Sequence, residues 1–311
     1  MAHNRSSLDC SLRQGGANDA LVSPRPLARG KVLRGGWKRR RKRTRSVRLT
    51  ARTADKHELY QLSVQSPEED VAFLARVYRK ARGRTARHLR EDFCGTGLVT
   101  ATWVKRGKRF TAEGFDLCPD TIAWGIEHNF ESLGKAAARA TIHVKDVREA
   151  SRRRPDIRAA QNFSYFVFKT RRELLEYFRA AHRDLAPRGI FVLDIYGGPE
   201  AMEEMEDVSR IDRRFSYVWE QVSYFPATGA YKAYIHFRFS DGSRLERAFR
   251  YDWRLWTLPE VKDALFDAGF TGVDTYWEGD DEKGESGNGI YRRSKRGDNC
   301  AAWITYLVAY K

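Results

Sequence analysis

The chain has 311 residues, with 57 Lys+Arg against 41 Asp+Glu, a formal net charge of +16, 41% hydrophobic residues and 13% aromatic residues. That composition supports a sizeable core in one large domain or two modest ones, and it excludes global disorder. Four cysteines, Cys10, Cys94, Cys118 and Cys300, form no CxxC pair, so no zinc cluster, metal set or disulfide scaffold is readable and a reducing compartment is expected. No run approaches ~18 consecutive apolar residues and no secretory signal is evident, so a soluble, cytoplasmic chain without a membrane span is expected.

The charge is unevenly placed. Residues 1–56 hold sixteen basic residues and three acids, which leaves only +3 on the remainder. This lead segment reads as a basic, disordered tail. Its densest part, residues 37–48, can contact nucleic acid weakly through sequence-independent charge, or can simply be a solvated extension.

Order is expected to begin at Ser66-Pro67-Glu68-Glu69, where a capping hydroxyl, Pro at the first helical position and an acid at the third mark a helix start. Val71, Leu74, Val77 and Tyr78 give that helix one apolar face, and Gly83 ends it. Strand and helix then alternate: strands at 88–93, 111–117, 140–145, 157–163 and 189–196, with helices at 98–105, 119–133 and 171–185. The pattern predicts a doubly wound α/β fold with a parallel sheet. Three strand-like runs at 215–224, 231–239 and 244–251, joined by Pro226-Ala227-Thr228-Gly229 and Asp241-Gly242-Ser243, predict a small antiparallel β insertion after strand five. A helix at 257–269, strands near 273–277 and 301–309, and a polar loop at 279–299 complete the reading. The expected organisation is a tail (1–56), a cofactor-binding core (57–207), an insertion forming a substrate lid (208–256), and a closing helix and strands (257–311).

The chemistry concentrates after the first strand, in Arg90-Glu91-Asp92-Phe93-Cys94-Gly95-Thr96-Gly97. A Gly-Thr-Gly turn before a helix lets backbone approach a ligand beside free helix amides, although the same turn also serves as a plain connection. Asp116 ends the next strand nineteen residues after Gly97, where an acid can accept both hydroxyls of an adenosine ribose. Nicotinamide enzymes use the same device. A dinucleotide fingerprint, however, wants a third Gly where this chain has Thr100, and Glu91 suits a cationic amine better than a pyrophosphate. Asp146-Val147, after the third strand, pairs a side-chain acceptor for an exocyclic amine with a backbone amide for an adenine ring nitrogen, or is a turn aspartate.

These residues resemble the class I S-adenosylmethionine-dependent methyltransferases, whose sheet is Rossmann-like. Glu91–Gly97, with Cys94, Gly95 and Thr96, looks like their first motif. Asp116, with Leu117 beside it, looks like the ribose acid and Asp146 like the adenine-side acid. Gln161-Asn162-Phe163-Ser164 is similar to the segment ending strand four, and Pro187-Arg188-Gly189 to the entry into strand five. The chain resembles more closely a group carrying Arg-Glu-Asp-Phe-Cys-Gly-Thr, and Phe93 stands where such families commonly have Gly. The resemblance implies S-adenosyl-L-methionine as cofactor and binding roles for Glu91, Cys94, Gly95, Thr96, Gly97, Asp116, Leu117, Asp146, Val147 and Asn162. Arg90 either reaches the cofactor carboxylate or pairs with Glu91 or Asp92.

A small-molecule methyl acceptor is the leading expectation, with Tyr165, Tyr196, Trp253 and Arg254 lining its site and Asp194 nearby. The run Tyr251–Trp256 either folds over the acceptor or forms an aromatic seam. His236 is a candidate base or a surface residue, and no catalytic base is assigned, because orientation alone can supply roughly 7–11 kcal/mol. A nucleic-acid methyltransferase using the basic tail and a non-catalytic binding module are the alternatives.

Overall fold

The computed structural model describes residues 48–280, 287–297 and 299–311. Among them, β1 (His88–Asp92), β2 (Thr111–Asp116), β3 (Ala140–Val144), β4 (Ile157–Ala160) and β5 (Ile190–Gly197) pair in parallel, and β10 (Gly272–Asp280), β11 (Gly287–Arg293) and β12 (Trp303–Tyr310) extend the sheet antiparallel. The order is β11-β10-β12-β5-β4-β1-β2-β3, which reverses between β1 and β4 and opens a crevice at the carboxyl edge there. A second sheet, in the order β6-β7-β8-β9, contains β6 (Met205–Arg210), β7 (Phe215–Phe225), β8 (Ala230–Phe239) and β9 (Arg244–Arg254).

The helices follow from apolar spacing and their caps. In α2 (Pro67–Arg82), Val71, Phe73, Leu74, Val77 and Tyr78 are buried, acids fill the first turn, and Gly83 closes the helix at φ 65°. The Ser66 side chain makes no capping bond there, so Pro67 and the acidic turn start the helix. Reciprocal capping boxes do form at Thr170/Glu173 before α5 (Arg171–Asp184) and at Thr257/Glu260 before α6 (Leu258–Asp267). The helix α3 (Leu98–Lys105) spans the residues expected, and six of its eight side chains are buried.

Five local differences from the sequence reading matter. Residues 48–56 do not belong to the lead segment, because Asp55 caps a further helix, α1 (Lys56–Val64), through the amides of His57 and Glu58. Residues 1–47, and with them nearly all of the basic run 37–48, lie outside the described residues. The helix expected over 119–133 is α-helical only as α4 (Pro119–Gly125); a π turn and a tighter helix kinked at Gly134 follow. Strand β4 stops at Ala160, since Asn162 and Phe163 both take left-handed φ, at 59° and 57°. The insertion sheet begins at Met205 rather than after 207, and β11 occupies part of the segment expected as a polar loop.

One hydrophobic cluster joins α5, α6 and β5 to the inner face of β7 and β8, through Phe215, Trp219, Ala233, Ile235 and Phe237. The second sheet is therefore packed onto the first domain's core. A second cluster, built around Leu74, Tyr78, Trp103 and Val192, fills the other side.

Candidate active site

The turn between β1 and α3 is held from four directions. Cys94 N–H donates to the Phe115 carbonyl, Gly97 N–H to the Cys94 carbonyl, and Gly95 N–H to Asp116 Oδ2 at 2.8 Å. Thr96 accepts from Gln61 of α1 at its hydroxyl and from Asn129 at its carbonyl. Gly125 lets α4 lie directly on this turn, for a Cβ there would sit 2.2 Å from the Thr96 carbonyl oxygen. Gly97 has φ 66° and caps α3, so its own Cβ would press on Phe130 and Ile142.

Phe93, the departure from the Gly expected of the resemblance, adopts φ 54°. The backbone therefore follows a path that Gly would take freely and Phe takes under strain, and the ring is anchored against Phe168 and Tyr177, at 6.1 and 5.7 Å between centroids.

Asp116 stands at the carboxyl end of β2 with Oδ2 on the Gly95 amide and Oδ1 on the Cys118 amide, the latter at 2.9 Å. Each oxygen keeps acceptor capacity for a further donor. Beside it Leu117 is 67% exposed, and Val144, one step across on β3, is 54% exposed. Two bare aliphatic side chains at adjacent strand ends make a surface suited to a flat apolar ring. Asp146 lies beyond Val144 and receives the Arg148 side chain and amide, which hold its carboxyl below the usual range.

Acids crowd the other half of the crevice. Glu91 Oε2 accepts from the Thr100 amide and hydroxyl, at 2.8 and 2.6 Å. Burial, with Asp70 and Asp116 adding like charge, pushes its carboxyl up to about 8. Asp194 accepts from the amides of Asn162 and Phe163, clamping the left-handed turn after β4, and burial pushes it up to about 7. Asp70, bonded to Gln161, is pushed up to about 6 for the same reason. No group of His, Cys, Asp and Glu side chains among the described residues has metal-site geometry.

Arg90 is not part of this mouth. Its guanidinium is fully buried and donates to Asp92, Asp184, Ser151 and the carbonyls of Val147 and Glu149, which selects the salt-bridge reading over contact with a cofactor carboxylate. Cys94 is buried too, with its thiol against Gly114 and not the crevice. Sequence reading missed α1, which brings Gln61 to Thr96 and rests His57 and Tyr60 on Phe249 of β9. The signal was present in Asp55-Lys56-His57-Glu58, an acid cap followed three residues later by Glu.

Tyr165, Tyr196 and Trp253 converge on Phe166, whose ring centroid lies 5.1, 5.6 and 5.8 Å from theirs. All are buried; the Tyr165 hydroxyl has no hydrogen-bond partner among the described residues, while those of Tyr196 and Tyr231 meet each other. The run 251–256 is thus an aromatic seam between the sheets. Arg254 stacks 3.7 Å over Trp256, the last ring of that run, and donates to Glu260 and the Lys169 carbonyl. His236 is buried on the insertion sheet between the carboxylates of Glu220 and Glu246, both within hydrogen-bond reach of its ring, so it is neither the surface residue nor the crevice base that the sequence offered.

No protein-family model and no curated protein sequence matches the chain. Solved structures do. An S-adenosylmethionine-dependent methyltransferase from Clostridium acetobutylicum superposes with a TM-score of 0.61 at 16% identity, covering 82% of this chain and 96% of that one. CalS10, an amino pentose methyltransferase from Micromonospora echinaspora, gives 0.58 at 19% identity over 82% and 95%. DesVI of Streptomyces venezuelae gives 0.57 at 23% identity over 82% and 98%. At these identities the likeness is one of fold, and the fold is the Rossmann-like one of these methyltransferases.

Proposed function

We propose that this chain is an S-adenosyl-L-methionine-dependent methyltransferase acting on a small-molecule acceptor. The observation that carries the reading is the acid lining of the crevice beside an apolar ledge. Burial opposes ionisation of Asp70, Glu91 and Asp194, and like charge from Asp70 and Asp116 adds to it at Glu91 and from Asp70 at Asp194, so a cation is the ligand that lowers the energy of the site, and a pyrophosphate would be repelled. A nicotinamide dinucleotide therefore suits it poorly.

Asp116 would hold the ribose hydroxyls, Leu117 and Val144 would flank the adenine, and Asp146 with Val147 would address its edge. Glu91 would lie toward the cationic amino-acid end. When bound, the cofactor supplies an electrophilic methyl carbon on a sulfonium. The chain's own contribution is positional. The clamped Gly95–Gly97 turn fixes one wall, Asp194 fixes the other through Asn162 and Phe163, and the Phe166, Tyr196 and Trp253 seam excludes water. Orientation of that kind supplies roughly 7–11 kcal/mol without a dedicated base.

Tyr165 offers a buried hydroxyl without a hydrogen-bond partner among the described residues, and a polar acceptor would satisfy it. The amino pentose acted on by CalS10 makes amino sugars the first acceptor class to assay. Transfer of label from the cofactor's methyl group to amino sugars and to a fractionated metabolite extract tests the reading. Labelled product supports it, and a folded, cofactor-binding protein that labels nothing in either set favours a non-catalytic module.

A further inference from the structure

Next to the Asp146–Arg148 ion pair, the segment joining β3 to β4 and the last turn of α5 border a half-open cavity of about 450 Å³. Its walls carry Arg148, Arg152, Arg154 and Arg183, and Ser151 and Asp184 line it beside them. We infer that this cavity is a binding site for a small phosphate-bearing anion carrying at least two negative charges.

The argument begins with what neutralises these arginines. Asp184 does not, because its oxygens are taken by the Ser151 amide and hydroxyl and by Arg90 and Arg158 of the buried core. Arg148 is committed to Asp146. The guanidinium groups of Arg152, Arg154 and Arg183 make no ion pair or hydrogen bond among the described residues, and all three side chains are exposed. Like charge accumulates further at the chain end, where Arg154 acts on Lys311.

The carboxyl end of α5 would ordinarily oppose an anion through its free carbonyls. Here Lys311 Nζ donates to two of them, those of Arg183 and Leu185, which offsets the negative pole of the helix end beside the cavity. Guanidinium forks match tetrahedral oxyanions in pairs, and the volume falls in the range of small-ligand sites. A concave, half-open cavity of this size favours a compact polyanion over the extended backbone of a nucleic acid.

Calorimetry with inorganic pyrophosphate at low ionic strength, using the full chain, tests the site. The control is an Arg154→Ser/Arg183→Ser double variant, whose exposed positions leave the fold intact, as unchanged binding of S-adenosylhomocysteine and unchanged thermal unfolding would verify. The lead segment is common to both proteins, so any difference belongs to the cavity. Pyrophosphate affinity should fall at least tenfold in the variant. Equal affinity in the two proteins, or no binding to either, overturns the inference. So does a variant that loses single-stranded oligonucleotide binding while keeping pyrophosphate, since that outcome makes the surface a nucleic-acid contact.

Discussion

Arg90 of β1 and Arg158 of β4 donate to one acceptor, the Val147 carbonyl at the start of the β3–β4 connection. The two guanidinium groups share Asp92 and Asp184 as counter-ions, and Tyr177 completes Asp92 at 2.7 Å. All five side chains are buried. Two cations and two anions balance, so the cluster is tolerable only while complete. Replacing one member strands the rest. Arg158→Met should cost about 3–5 kcal/mol in urea unfolding, and a loss below about 1 kcal/mol would show that the cluster is not a unit.

Phe93 reverses the usual ranking of small residues. At φ 54° an alanine retains the left-handed strain and loses the ring packing, while glycine loses the packing but sheds the strain. Phe93→Gly should therefore be more stable than Phe93→Ala by about 1 kcal/mol. Thermal unfolding of the two variants decides it, and alanine being the more stable would mean that the loop changes its path.

Glu113 makes stability fall in acid. Burial opposes its ionisation, yet donors from His88, His143 and the amides of Arg152 and Arg153 hold the carboxyl at about 2, below its ordinary 4.5. A depressed folded-state value adds stability that is complete above about pH 4.5 and is lost as pH falls through about 2. Glu113→Gln should flatten that part of the stability curve and cost about 1–3 kcal/mol at neutral pH. An unchanged acid slope would rule out this carboxylate as its source.

Glu91 and Asp194 act with the opposite sign. Their raised values, about 8 and about 7, give the free protein a contribution present in acid and lost as pH rises through them. The ammonium group of S-adenosylhomocysteine is held best by the ionised forms, so this ligand should bind more tightly as pH rises across that range and should release protons in doing so. Calorimetry in buffers of different ionisation enthalpy reads the release directly. Proton uptake, or Glu91→Gln leaving the pH dependence unchanged, would contradict this assignment.

What the sequence disclosed and what it hid divide along local and long-range lines. The alternation of strands and helices, the α3 limits and the carboxyl-edge positions of Asp116 and Asp194 follow from spacing and turn chemistry, which act over a few residues. The burial of Arg90 does not, because its partners Glu149, Ser151 and Asp184 are distant in the chain and only the fold assembles them. Arg254 and His236 were drawn off by Glu260 and by Glu220 and Glu246, acids that periodicity cannot pair with them. Asn162 and Phe163 read as strand because their residue types allow it, whereas the Asp194 carboxylate bends their amides into a turn.

Calorimetric titration of the parent protein and Asp116→Ala with S-adenosylhomocysteine, with NAD as the comparison ligand, tests the assignment of the crevice most directly. The account predicts binding of S-adenosylhomocysteine to the parent, a loss of at least about tenfold in the variant, roughly 1.4 kcal/mol, and no heat with NAD. Asp116→Asn, which keeps one acceptor for the Gly95 or Cys118 amide, separates loss of ligand contact from loosening of the turn. Equal affinity in parent and Asp116→Ala, or NAD binding in place of S-adenosylhomocysteine, would contradict the account.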